Sequence, residues 1–402
     1  MKIKSLLVIA EQILFSLTTF VMTFMLVKIL SVDDFAFWIV VSSTFFLLIG
    51  VMNSTVWAQL FNAVSLDPGR PWGIVGRLAT NLLLLTILLI ATCVVIFFSL
   101  LDVYLLLVIV FYFIASVNNE YTRKIYIAGS HEVLLFINSL FRVVGVVLLV
   151  VFYYFGFALD LVFCILLLVV PVFIVQIMLL VYEVLNQKNK IYYFLRLGLV
   201  LEFSNSISLL KKSLLQYVTN QGYVLVMYAL GFNLMLTVFE IIRNLFNPIV
   251  VLGNAFNNIY FKGLSVDPSN VLLKRFFLKI FLFSVLGGGV VFYFKDLVFE
   301  YVLVEAVAVA VDNYALFMIF AVIVVLTNLN VLISNYFLCV NEYKAPLSVS
   351  KKVFLYNLVF AVIAFYSYEG EAIFYGTFFV QLMVFFLNTR IVFRNSSVWG
   401  CK

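Results

Sequence analysis

Long apolar stretches recur from one end of the chain to the other, separated by short polar interruptions. Twelve stretches fall at about 6–30, 35–61, 78–101, 103–127, 133–155, 159–184, 204–228, 232–261, 274–294, 315–340, 347–367 and 372–393. A helix needs ~20 predominantly apolar residues to cross the hydrocarbon of a bilayer, and each stretch is long enough. The runs are continuous rather than alternating, which excludes a membrane β-barrel. Backbone in lipid must satisfy its own hydrogen bonds, so helices remain. The pattern therefore predicts an all-α polytopic membrane protein with about twelve transmembrane helices.

Composition agrees. Of 402 residues, 65% are hydrophobic and 11% charged, against about 25% charged in soluble domains; the mean hydropathy is +1.19. The net charge of +6 is uneven along the chain. With a cytoplasmic N-terminus, the inner connections and their flanks hold most lysines and arginines, among them Arg70, Arg77, Arg123 and Lys124, whereas only Lys28 and Lys295 flank outer ones. Asp33, Asp34, Asp102, Asp160, Asp296, Glu300 and Glu369 fall outside. This is the positive-inside pattern, and it places both termini in the cytoplasm. The basic balance is thus a topology signal, and no solvated basic segment is long enough to bind nucleic acid. Cys93, Cys164, Cys339 and Cys401 show no metal-ligand spacing and are not expected to pair. "MKIKSLLVIAEQ" starts basic, but Glu11 and Gln12 interrupt its apolar run and no small-residue cleavage site follows, so a retained first helix is expected.

An internal repeat is visible. "VSLDPGR" at 64–70 and "LSVDPSN" at 264–270 stand 200 residues apart; at the same offset Thr19 matches Thr219, Leu30 matches Leu230 and Phe61 matches Phe261. The repeat predicts two six-helix bundles, 1–190 and 191–402. An even helix number gives both the same orientation, with a cleft between them.

"KILSVDDFAFW" (28–38) carries two adjacent aspartates, Asp33 and Asp34, in a connection of about four residues. A metal-dependent glycosyltransferase needs its acidic pair in a roomier loop. The expectation is a polar turn in which an aspartate caps the helix that begins near Phe35. The longer stretch "EQILFSLTTFVMTFMLVKILSVDDFAFW" (Glu11 to Trp38) resembles the opening of bacterial polysaccharide repeat-unit flippases. These belong to the multidrug/oligosaccharidyl-lipid/polysaccharide exporter superfamily. That family opens with a Ser-, Thr- and Phe-rich helix, a short acidic turn and Phe-Gly; here Ala36 replaces the glycine. The resemblance implies a six-plus-six-helix transporter of the bacterial inner membrane, moving undecaprenyl-diphosphate-linked oligosaccharide (O-antigen or capsule repeat units) outward, with a polysaccharide polymerase and a chain-length regulator as possible partners.

A charge at the centre of a span costs about 2.5–3.5 kcal/mol on insertion scales, so embedded polar residues are candidates for function or internal pairing. Arg142 lies about ten residues, or roughly 15 Å, into the fifth span. It reads either as an anion site or as the structural partner of Glu11 or Glu120. In the eighth span Glu240, Asn244, Asn247, Asn254 and Asn258 fall on one helical face with Arg243 at its edge; interhelical hydrogen bonding is the alternative use. Lys212, Gln216, Thr219, Asn220 and Tyr223 share a face of the seventh span, where Lys211 and Lys212 are either inner-surface anchors or a loading site for a diphosphate. Asn328 and Asn335 are seven apart on the tenth span and are expected to line the same cleft. Pro171 and Pro248 are expected to kink their helices.

The inventory suits a sugar headgroup, whose hydroxyls need partners in the membrane, and a diphosphate, which needs cations. The expected substrate contacts are Arg142, Arg243, Lys211, Lys212, Asn244, Asn247, Asn254, Gln216 and Asn220, with Glu11 and Glu240 as candidates for ion coupling. Membrane lipids and the lipid-linked oligosaccharide are the expected partners. No cofactor, metal or enzymatic motif is predicted. The runner-up expectations are an organic-cation exporter of the same superfamily and a membrane-embedded polymerase or glycosyltransferase.

Overall fold

The computed structural model describes residues 2–57, 72–97, 102–128, 132–186, 203–266, 270–302, 314–339 and 344–399. These residues form twelve long helices. They are α1 (Lys2–Ile29), α2 (Val32–Met52), α3 (Trp72–Phe97), α4 (Val103–Ala128), α5 (Glu132–Tyr154), α6 (Leu161–Asn186), α7 (Phe203–Ala229), α8 (Asn233–Val266), α9 (Asn270–Val302), α10 (Tyr314–Cys339), α11 (Lys344–Tyr368) and α12 (Ala372–Trp399). A π-helical turn, Asn53–Trp57, continues α2, and a 3₁₀ turn, Glu369–Glu371, joins α11 to α12. Among the described residues ten helices are long and apolar enough to cross a membrane; α3 offers a shorter apolar segment, Ala79–Leu89, and α7 none. The reason lies in composition: α7 carries Lys211, Lys212, Gln216, Asn220 and Gln221.

The helix ends follow local chemistry. Asp102 and Asp160 accept from the backbone N–H groups of Tyr104 and Phe163, both at 2.7 Å, and so cap α4 and α6. Ser31 caps α2: its hydroxyl accepts from the Asp34 N–H at 3.1 Å and donates to the Asp34 carboxylate at 2.7 Å. After α5 and α7 the chain turns at Gly156 and Gly231, with φ of 75° and 78°. The N–H of Phe157 reaches the Phe152 carbonyl at 3.2 Å, and that of Phe232 the Met227 carbonyl at 3.0 Å. This closing bond needs a left-handed residue, which glycine supplies without strain.

The chain divides into two compact units. The first holds residues 1–30 and 41–214; the second holds 31–40 and 215–402. In the first, α5 packs on α1 and α6, and α4 packs on α3, α5 and α6. In the second, α10 packs on α8, α9 and α12, and α11 packs on α12. The opening of α2 belongs to the second unit. There Phe35, Ala36, Trp38 and Ile39 are buried, and the Phe37 ring lies 6.1 Å from that of Tyr228.

Several sequence boundaries need correcting. Arg77 is not a connection residue, because α3 starts at Trp72 and carries it inside the first unit. Lys295 is likewise buried, within an α9 that runs on to Val302. Both helices extend past their apolar cores; Arg77 is met by Gln176, Thr122 and Glu183 on neighbouring helices, and Lys295 by Asp296 on its own. The 64–70 copy of the repeat, His131, Cys401 and most of 303–314 lie outside the described residues.

Candidate functional site

Two polar clusters occupy the first unit. In one, Glu11 of α1 is fully buried (0% exposed). It accepts from Arg123 Nε of α4 at 2.7 Å and from the Ser139 hydroxyl of α5 at 2.9 Å, and its second oxygen lies 3.4 Å from Arg123 Nη2. Arg123 also lies 3.7 Å from Glu120. The guanidinium sits 4.2 Å from the centre of the Phe15 ring, and that of Arg142 sits 3.9 Å from the same centre. Arg142 donates to the Thr19 hydroxyl at 3.3 Å. Among the described residues no carboxylate comes within ion-pair distance of Arg142. The Glu11 pairing expected as one alternative for Arg142 is taken by Arg123.

The second cluster was not anticipated. Arg77 and Glu183, 3% and 7% exposed, face each other at 3.4 Å. Arg77 also donates to Gln176 and to Thr122, each at 2.9 Å, while the Tyr126 hydroxyl donates to Glu183 at 3.0 Å. Gln176 donates to Asn138 at 2.7 Å, and Asn138 to Asn119 at 2.7 Å. One signal was available: Gln176 and Glu183 are seven apart, as are Asn119 and Tyr126, so each pair shares a face of its helix. Beside this cluster the Lys124 ammonium is bonded to Asn53 and lies 4.7 Å from the centre of the Trp57 ring, whose indole N–H reaches Thr80 at 2.9 Å.

In the second unit the polar face of α8 is divided. Glu240 accepts from Arg243 at 2.7 Å and from the Asn244 amide at 2.8 Å. Asn244 is buried, Asn247 half-buried and Asn254 exposed. The side chain of Asn258 lies outside the described ones, but its neighbour Asn257 is buried and donates to the Asn328 carbonyl at 3.1 Å. Asn328 in turn donates to Ser284 at 2.9 Å, and its amide occupies the notch left by Gly253, where a Cβ would stand 2.4 Å from its Oδ1. Asn328 is therefore committed to packing among α8, α9 and α10. On α7, Thr219 bonds its own helix and the Tyr223 hydroxyl donates to Asn357 at 2.8 Å. Lys211 is exposed. The side chains of Lys212, Gln216, Asn220 and Asn335 lie outside the described ones. Asp33 accepts from the Asn233 amide and Asp34 from the Ser31 hydroxyl, both at 2.7 Å; Ser31 is the cap and the helix starts at Val32, so the aspartates lie in its first turn and do not cap a helix at Phe35, the arrangement expected from the sequence.

The described helices make an all-α multispan fold in two units, and that fold is similar to the fold of solved transporters, one of them of the MOP superfamily. The chain is similar over 97% of its length to a multidrug resistance MATE family transporter of that superfamily, in an inward-facing conformation (TM-score 0.63, 14% identity, 96% of that chain). It is also similar to the lipid II flippase MurJ in an inward closed conformation (TM-score 0.65, 11% identity, 98% of this chain and 87% of that one). A third likeness is to the eukaryotic MATE transporter AtDTX14 (TM-score 0.60, 13% identity, 96% and 95%). At these identities the likeness establishes the fold alone. No family model and no curated protein matches the chain.

Proposed function

We propose that the protein is a flippase that carries undecaprenyl-diphosphate-linked oligosaccharide repeat units from the inner to the outer leaflet of a bacterial inner membrane by alternating access. In this reading all twelve helices span the membrane and both termini are cytoplasmic. A polysaccharide polymerase and a chain-length regulator are its candidate partners.

The observation that supports it is Arg142. Arg77, Arg123 and Arg243 each have a carboxylate within 4 Å. Arg142 donates to a hydroxyl and lies over an aromatic ring, with no carboxylate within 4 Å among the described residues. An embedded cation costs about 2.5–3.5 kcal/mol on insertion scales, and a phosphate supplies the charge that would offset this through paired N–H···O bonds. Arg243, half-exposed beside Glu240, and the exposed Lys211 are further candidate contacts with the anion. Asn244, Asn247 and Asn254, with Gln216, Asn220 and Lys212 on α7, are candidate partners for sugar hydroxyls and phosphate. Glu11 has both oxygens engaged, which favours Glu240 over it for ion coupling.

A second reading, export of organic cations, is favoured by the likeness to multidrug transporters. An arginine without a carboxylate disfavours a cationic cargo. The test is complementation of a repeat-unit flippase-null strain. Arg142→Ala is expected to abolish surface polysaccharide at normal expression, and Arg142→Lys to retain part. Full complementation by Arg142→Ala overturns the anion site. Failure of the unaltered protein to complement, together with resistance to organic cations, moves the reading to the second one.

A further inference from the structure

Helix α9 covers one of its faces and leaves the other open. Leu273 and Ile280 are buried in an apolar cluster with Leu264 of α8 and Leu329 and Leu332 of α10, and Phe276 and Phe277 pack against it. On the opposite side Arg275, Lys279, Leu282, Leu286, Gly289 and Tyr293 follow at steps of four, three, four, three and four residues, which makes one stripe along the helix. All six are exposed, Leu286 to 70% and Tyr293 to 79%. A Cβ on Gly289 would meet nothing within 4 Å, so the stripe is flat and open there.

The stripe is cationic at one end and apolar beyond it. Arg275 and Lys279 stand one helical turn apart, a spacing at which like charges repel, and Lys274 is exposed beside them. The acids of α9, Asp296 and Glu300, belong to its far end, Asp296 about 26 Å from Lys279 at 1.5 Å per residue. Arg77, Arg123, Arg243 and Lys295 each have a carboxylate within 4 Å; among the described residues Lys274, Arg275 and Lys279 have none. Basic residues at the very end of a span mark topology and need no ligand. Lys279, however, lies about 14 Å from the start of α9, level with the packed Phe276, Phe277 and Ile280. A cation at that depth is relieved by an anion that enters the membrane with it. A phospholipid carries an anion and hydrocarbon in line, as the stripe does. Its phosphate can take paired N–H···O bonds from Arg275 and the point charge of Lys279. From Lys279 to Tyr293 the stripe runs about 21 Å, longer than the ~15 Å of hydrocarbon in one leaflet.

We propose that Arg275 and Lys279 hold the phosphate of an anionic phospholipid whose acyl chains lie along Leu282, Leu286 and the flat at Gly289. In the orientation proposed above this lipid belongs to the cytoplasmic leaflet; its binding requires neither that orientation nor the proposed cargo. The full-length protein, delipidated in detergent, is titrated with phosphatidylglycerol, and separately with phosphatidylcholine of the same chains, and bound lipid is counted by native mass spectrometry. The first phosphatidylglycerol is expected to bind at least about tenfold more tightly than phosphatidylcholine. Arg275→Gln with Lys279→Gln is expected to weaken it by about 10–30-fold, and Arg275→Lys, which keeps the charge, to weaken it less. Lys351→Gln with Lys352→Gln, which removes two exposed lysines of α11, is expected to leave it unchanged.

Equal affinity for the two lipids, or an equal loss in the α11 variant, overturns the proposal, because the cations then attract anionic lipid diffusely. Displacement by chain-free glycerol phosphate overturns it in favour of a free-phosphate site, and displacement by a lower concentration of undecaprenyl phosphate in favour of the lipid-linked cargo. Dimers that separate in the Arg275→Gln, Lys279→Gln variant assign the stripe to a second copy and also overturn it. Selective phosphatidylglycerol binding in a protein that fails to complement the flippase-null strain leaves this site standing and removes the cargo reading.

Discussion

Arg77→Met is the sharpest test of the first unit's interior. The substitution keeps an unbranched apolar stem on α3 but removes three contacts: Gln176 at 2.9 Å, Thr122 at 2.9 Å and Glu183 at 3.4 Å. Glu183 is left as a buried carboxylate with the Tyr126 hydroxyl as its donor. Breaking a buried pair from one side costs about 3–5 kcal/mol, because the surviving charge remains in low dielectric. For a body of this size each kcal/mol moves the unfolding midpoint by about 2–4 °C, so a fall of about 6–20 °C is expected. Replacing both members by methionine removes the stranded charge as well. The double variant is therefore expected to unfold above the Arg77→Met single, with a coupling energy of about 0.5–3 kcal/mol in the double-mutant cycle. The assay is intrinsic tryptophan fluorescence on heating, with size-exclusion elution as the check on folding. A single variant that melts with the parent, or a double as unstable as the sum of its singles, refutes the reasoning that this pair is buried and coupled.

Two further outcomes follow from geometry. Gly253→Ala places a methyl 2.4 Å from Asn328 Oδ1. It should lower stability by about 1–3 kcal/mol, and Asn328→Ala in the same chain should recover part of this, read as unfolding temperature. In a background without native cysteines, Asn254→Cys should react with a water-soluble maleimide faster than Asn244→Cys, since Asn254 is exposed and Asn244 buried; equal rates would refute the division of the α8 face.

The membrane class and the helical architecture were legible in the sequence because hydrocarbon leaves few options. Runs of ~20 apolar residues in lipid become helices, and short Asp- or Gly-bearing interruptions become caps and turns. Asp102, Asp160, Ser31, Gly156 and Gly231 all act within a few residues of themselves, so their roles are local facts. Arg142 stood out for the same reason, since no acid on its own helix compensates it.

The charge pairings were decided only by the tertiary structure. Glu11 meets Arg123 across 112 residues of chain, and Arg77 meets Glu183 across 106. Sequence periodicity says which face of a helix a residue occupies, but not which neighbouring helix that face meets. For that reason Arg77 read as a topology marker, Asn328 as a lining residue, and Glu240 and Glu11 as equal candidates, until packing committed the oxygens of Glu11 and left Glu240 Oε2 without a partner among the described residues. Hydrophobicity along the chain located the apolar segments of the helices, although α9 runs on to Val302 and α12 to Trp399 beyond them, and the contacts between helices selected which embedded polar atoms remain available for a ligand.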